Sequence, residues 1–337
     1  MDANVPFETC PGVRQSVVQG PPGYNSWPMV QALGESLVCA YSRGSAHTID
    51  EGARGVFARV SWDGGLSWSQ EICVTNDPSA GEVTIGKGLD ASGAMLLWVR
   101  RWSPDPALCG HDLYRTTDGV SFAKIATPDF SPMPMQVTDV FRVPGVGLMS
   151  LWFAGDYREE RGHAWGTLTS ADNGRTWTQR IVEEDLAKAD WPTEICAAPL
   201  GGGRILAIGR SETGGPQFQL TSVDGGETWR RVRTNIADVC QSTPSLIFDP
   251  RTGLVANYHY ERGARRMKRR VASVSEVFDH PMAWPDSDVL AIGHEERAHD
   301  AGNVNATSLG GLHCLATYTG THCDTAVVVL SAPSPFG

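Results

Sequence analysis

The sequence predicts an all-β fold, a six-bladed β-propeller, and three observations carry that prediction. A turn motif, S/T-x-D-x-G-x-T/S-W, occurs four times, at residues 61–68, 116–122, 170–177 and 222–229, with the second copy one residue short. Its aspartates, Asp63, Asp118, Asp172 and Asp224, are 55, 54 and 52 residues apart, the signature of a structural repeat. The composition suits many short strands: Gly 37 and Pro 21 supply turns, and Trp 11 is high for this length. The 337 residues divide by about 54 into six units.

Each copy of the motif follows a strand-like run: GVFARVS, HDLYRTT, AWGTLTS and QFQLTS. The physics of the motif is a hairpin turn. The aspartate accepts hydrogen bonds from backbone N–H groups two or three residues on, glycine supplies positive φ, and the closing aromatic packs beneath. The unit is therefore a small antiparallel sheet. Units five and six lack the motif, and ASVSEVF near 271–278 stands where the fifth copy belongs. A closed ring leaves no exposed sheet edge, and its last blade borrows a strand from the opposite terminus. Residues 12–20 fit that place beside 325–331, so one domain is expected over residues 1–337 with no linker.

Composition excludes several classes. Charged residues at 20% and apolar ones at 41% fit a folded globular protein. The balance of 28 basic to 38 acidic, net −10, argues against a general nucleic-acid partner. No run of 18 apolar residues predicts a membrane span. The start, MDANVPFETC, has neither basic segment nor apolar core, so no signal peptide is expected. A non-classical exit, a place on a phage tail, or release by lysis would leave no such mark. None of the eight cysteines forms a C-x-x-C pair, so no zinc or other metal site and no cofactor is expected. Their apolar settings predict reduced core residues.

The repeated turn resembles the Asp-box of sialidases and related propellers. In that family the boxes face away from the ligand end, which makes the four aspartates structural. The resemblance is strongest in unit four, where the family places a Glu at the start of the innermost strand and an Arg on the next. Here Glu194 and Arg210 occupy those places, sixteen residues apart across a hairpin. The resemblance implies that they meet at one end of neighbouring strands, with Arg210 holding a substrate carboxylate. In unit five, counting back from the strand ending at Ser273 gives Arg265 as the second such arginine, with Arg266 a close rival. The rest of the basic run over 262–270 reads as a solvated face.

Two family features are missing. Ser26 stands where the first unit's arginine is expected, and residues 300–308 contain no tyrosine where the nucleophile is expected. The phage endosialidases, which cut polysialic acid, share these losses, and units one and two look like theirs. Their β-helical stalk and chaperone, which drive trimerisation, have no counterpart here, so a homo-oligomer is an open expectation. Asp50, with Glu51 as alternative, is the expected acid, and Arg43 its neighbour on the same loop. Lys87, flanked by glycines, is an expected carboxylate partner. Trp27, with Trp102 and Trp191, and His111 are further candidate substrate contacts; His47, His111 and His259 are too dispersed for a metal. The implied function is cleavage of sialic acid ketosidic bonds, endo-acting on an acidic glycan and without a tyrosyl intermediate. The alternatives are an exo-acting enzyme on sialic acid, Kdn or Kdo, and a sialoglycan-binding propeller without turnover.

Overall fold

The computed structural model describes residues 6–47, 49, 54–294, 300–321 and 323–337. Antiparallel strands form six sheets. Blade I comprises Tyr24–Leu33, Ser36–Gly44, Gly55–Ser61 and Ile72–Thr75. Blade II comprises Gly81–Leu89, Met95–Trp102, Gly110–Thr116 and Ala123–Ala126. Blade III opens with a broken first strand, Gln136–Val137 and Phe141–Val143, then Gly147–Ala154, His163–Ser170 and Thr178–Leu186. Blade IV is Pro192–Gly201, Arg204–Ser211, Phe218–Ser222 and Arg230–Arg233. Blade V is Ser245–Asp249, Leu254–Glu261, Arg266–Ser273 and Asp288–Gly293. Blade VI is Gly302–Leu309, Leu312–Gly320 and Thr325–Pro333. The N-terminal arm edges both of the last two blades: Phe7–Thr9 pairs with Asp288–Gly293, and Arg14–Gln19 with Thr325–Pro333.

The blades pack face to face, so their middle strands are apolar on both sides. Runs such as MLLWV, RILAI and VVVLS follow from that double burial. The core is six separate clusters, one in each gap between neighbouring blades, including the gap between VI and I that closes the ring.

Each repeated turn joins the third and fourth strands. In copy three, Asp172 Oδ1 accepts from the Arg175 and Thr176 N–H groups at 3.1 and 2.9 Å, and Oδ2 from Thr176 Oγ1 at 2.7 Å. These bonds hold the Asp172 carboxyl down at about 2. The aspartate thus reaches three and four residues on, whereas in the shortened copy Asp118 reaches Val120 and Ser121. The turn's last glycine also wedges against the preceding blade: a Cβ on Gly119 would lie 2.5 Å from Val38 of blade I. In blade V a short helix, Val274–Val277, replaces the turn.

Two readings change. The basic run of blade V is not a solvated face: Lys268 and Arg270 are buried and bond Asp238 at 2.8 and 2.6 Å. All eight cysteines are free, but only Cys39, Cys196 and Cys314 are buried; Cys73, Cys240 and Cys323 are exposed.

Candidate active site

At the end of the ring opposite the repeated turns lies a cavity of about 770 Å³. Its walls come from the starts of first strands and the ends of second strands, which antiparallel order places together. The first strands of blades I, II, IV and VI carry register slips there: Ser26/Met29, Thr84/Gly86, Thr193/Cys196 and Gly302/Asn305. Such bulges re-aim side chains. Trp27 (φ +49°), Glu194 (φ +45°) and Asn303 (φ +55°) sit within three of them, in the left-handed region, and all three line the cavity.

Glu194 and Arg210 meet as expected. Glu194 Oε1 accepts from Arg210 Nη1 at 2.7 Å, and Oε2 from Thr243 Oγ1. The other side of Arg210 is gripped by Glu212, with Nε and Nη2 donating at 2.8 and 2.9 Å. Glu212 is in turn fixed by Thr193 Oγ1. Burial opposes the Arg210 charge, but the Glu194 and Glu212 carboxylates outweigh it and raise the guanidinium above its ordinary value. Three of its five N–H groups are used by these carboxylates, and two remain for a ligand.

The blade V arginine that lines the cavity is Arg262. It lines the cavity at the end of the blade V second strand and donates to the carbonyls of Ala301, at 3.0 Å, and Gln241. Arg265 and Arg266 do not line the cavity. Arg265 occupies the hairpin turn with φ +56° and donates to the His294 carbonyl at 2.6 Å; Arg266 is exposed. The hairpin simply reaches further than counting back from Ser273 allows.

Other expected contacts are redirected. Lys87 spans the ring's centre: Nζ lies 3.3 Å from Asp139 Oδ2 and donates to the Ala306 carbonyl at 3.0 Å. Its flanking glycines serve this centre, since a Cβ on Gly88 would lie 2.0 Å from the Val140 carbonyl oxygen. Arg43 pairs with Glu71 at 2.7 Å and covers the Phe57 ring, away from the cavity. His111 is fully buried; burial pushes its imidazole down to about 3, helped by Arg100 and Arg101, and it does not reach the cavity. Trp27 and Trp102 line the cavity, whereas Trp191 is buried and stacks on His163 at 4.1 Å. Asp50 and Glu51 lie outside the described residues.

Further groups in and behind the cavity wall were not anticipated as site residues. Ser26 accepts from Arg54 Nη1 at 3.2 Å, and the Arg54 guanidinium lies 4.7 Å from the Trp27 ring, beneath the cavity wall. Tyr24 hydrogen-bonds both His47 Nδ1, at 2.7 Å, and Asp300 Oδ1, at 2.8 Å, and His47 lines the cavity. Tyr318 supplies a cavity hydroxyl from the second strand of blade VI. Burial, against the pull of Arg262 and with the push of Glu194 and Asp300, raises it to about 12. Arg100, on the second strand of blade II, also lines the cavity, and burial lowers its guanidinium below the ordinary value. No signal marks Tyr318 or His47 in the sequence, because both depend on which strands the ring brings together. Among the described residues no group of three His, Cys, Asp or Glu could hold a metal ion, and no helix is long and apolar enough to cross a membrane.

This architecture is the six-bladed propeller seen in solved sialidases. The chain is similar to a protein of unknown function from Dyadobacter fermentans, with TM-score 0.76, 17% identity and coverage of 96% of this chain and 100% of that one. It is similar to a Hadza microbial sialidase, with TM-score 0.69, 15% identity and coverage of 92% and 66%. It is also similar to Trypanosoma rangeli sialidase in complex with 2,3-difluorosialic acid, a covalent intermediate, with TM-score 0.71, 11% identity and coverage of 96% and 60%. The chain thus spans about two thirds or less of those two sialidases. No protein-family model and no curated protein sequence matches it.

Proposed function

We propose that the chain is a glycoside hydrolase that cleaves α-ketosidic bonds of sialic acid or a closely related nonulosonate, acting within an acidic polymer such as polysialic acid. One observation carries the reading: the buried Glu194–Arg210 pair and Arg262 line a single cavity. Such a substrate carries a carboxylate on its anomeric carbon. Two guanidinium groups can hold that carboxylate, and they stay charged at any working pH. The transition state is cationic at the ring, and the Glu194 side chain is the acidic group placed beside it.

Residues 300–308 contain no tyrosine and Ser26 stands where the first arginine is expected, so a water molecule is the attacking group in this reading. Glu194 takes its proton as it attacks, and the product inverts at the anomeric carbon. Tyr318 supplies a hydroxyl to the same cavity, raised by burial to about 12. His47, held by Tyr24 and Asp300, takes the role of proton donor to the leaving oxygen. The solved sialidases support the choice of sugar, since the Trypanosoma rangeli enzyme has been captured with sialic acid and with a difluoro-KDN compound.

Glu194→Gln is the decisive variant. Removing Arg210 would leave Glu194 and Glu212 buried without their counter-charge, at a folding cost of about 3–5 kcal/mol. Glu194→Gln is expected to cut the release of reducing ends from polysialic acid about 10³-fold, with the fold intact by circular dichroism. Wild-type rates in the variant would overturn the assignment. A second reading, binding without turnover, is favoured by Ser26 in the first arginine's place and by the absence of tyrosine from residues 300–308; wild-type protein that binds sialoglycans on an array but yields no product would establish it.

A further inference from the structure

Five cationic side chains line the cavity besides His47, and they are not equally compensated. Arg210 faces Glu194 and Glu212, and Arg262 caps backbone carbonyls on blades V and VI. Asp139, the third carboxylate in the wall, belongs to Lys87 and Asn305. On the side of blades II and III stand Arg100, Arg158 and Lys188, with no lining carboxylate of their own. Among the described residues the Arg100 side chain has no hydrogen bond, ion pair or ring contact, and it is half-buried. Its neighbour Arg101, on the other face of the strand, pairs with Asp112 at 3.0 Å and the Leu108 carbonyl at 2.6 Å. The cross-strand partner of Arg100 is His111, whose imidazole carries no negative charge and so offers no counter-ion. Lys188 is tethered to the Tyr157 carbonyl at 2.6 Å, which fixes its ammonium at the rim.

A partly desolvated guanidinium without a counter-ion is costly in the empty protein, and an anion repays that cost on binding. The position separates it from the first arginine pair. Arg210 and Arg262 sit on blades IV and V, and blade III lies between them and Arg100. Tyr157, from blade III, has its ring 5.9 Å from the Arg210 guanidinium and feels the Arg100 charge as well.

We propose that Arg100, with Arg158 and Lys188 beside it, forms a second anion-binding subsite that takes the carboxylate of the sugar adjoining the one held by Arg210 and Arg262. The inference rests on the hydrolase reading and deepens it: the substrate carries negative charge on neighbouring residues, and the cavity reads two of them at once. A ligand with one carboxylate gains from one pole only, so preference for a dimer over a monomer is the property that Arg100 controls.

The test is calorimetric titration of the Glu194→Gln protein, which binds without cleaving, with α-linked disialic acid and with the methyl α-glycoside of sialic acid. Arg100→Gln in that background is expected to shrink the dimer-to-monomer affinity ratio about tenfold, the loss of one charge-assisted hydrogen-bonded contact. Arg100→Lys keeps the charge and should retain most of the ratio, which separates charge recognition from loss of packing. An unchanged ratio would overturn the subsite. Equal weakening of both ligands would also overturn it, since Arg100 would then serve the first carboxylate. If the folded Glu194→Gln protein binds neither sugar, the hydrolase reading fails and the subsite falls with it.

Discussion

Arg210 is the residue on which the cavity's charge pattern turns. Its three bonds to Glu194 and Glu212 hold both carboxylates against one guanidinium and fix their orientation in the cavity wall. His111 shows the opposite use of burial. Its imidazole is kept neutral, with a folded-state value near 3 against 6.5 when exposed. As pH falls through 6.5 the unfolded chain takes up a proton that the folded chain refuses. Stability is therefore fully present above 6.5 and is lost on acidification, by about 1.4 kcal/mol per pH unit, until the folded group titrates near 3. His313, lowered to about 4, adds the same slope over a shorter window. Urea unfolding at pH 6.5 and 5 should thus show a steeper loss in the wild type than in His111→Gln, by about 2 kcal/mol. Equal losses would mean that the imidazole is protonated inside the fold.

At the scale of the element, the hairpin decides what the sequence makes legible. Glu194 and Arg210 could be paired from spacing because the hairpin between Pro192–Gly201 and Arg204–Ser211 returns the chain to its starting end. Arg262 was hidden by its own neighbourhood, a run of six basic residues in which several could be counted into place. Counting forward would have found it: Arg210 is seven residues past Gly203 and Arg262 nine past Gly253, the same parity and hence the same face. Arg100 was passed over because an Arg-Arg pair on a strand shows nothing of which member has a partner. The repeated turns were fully legible, since each is closed by bonds within eight residues. What the motif does not reveal is that its last glycine is also an inter-blade contact. Gly119 has φ +73°, and an added Cβ would press on Val38 and Val60. Gly119→Ala should cost about 2–4 kcal/mol in chemical denaturation, from left-handed strain and overpacking together. The double variant with Val38→Ala should recover part of that loss, and strict additivity would show that the two residues do not meet.

At the scale of the molecule, six blades with six inter-blade cores mean that no sheet face is left at an open end. Closure depends on the N-terminal arm, whose Phe7 and Val18 are buried in blades V and VI. Removing residues 1–19 strips two edge strands and should lower the melting temperature by about 10 °C, the equivalent of losing two buried side chains from a chain of this size. Melting at the wild-type temperature would show that the ring closes without the arm. The same arrangement orders events during synthesis. The arm precedes its two partners, Asp288–Gly293 and Thr325–Pro333, by most of the ring's sequence, so blades I to IV are all made before either partner exists. Its apolar side chains therefore wait without their native neighbours while blades I to IV form, and are covered only when blades V and VI follow.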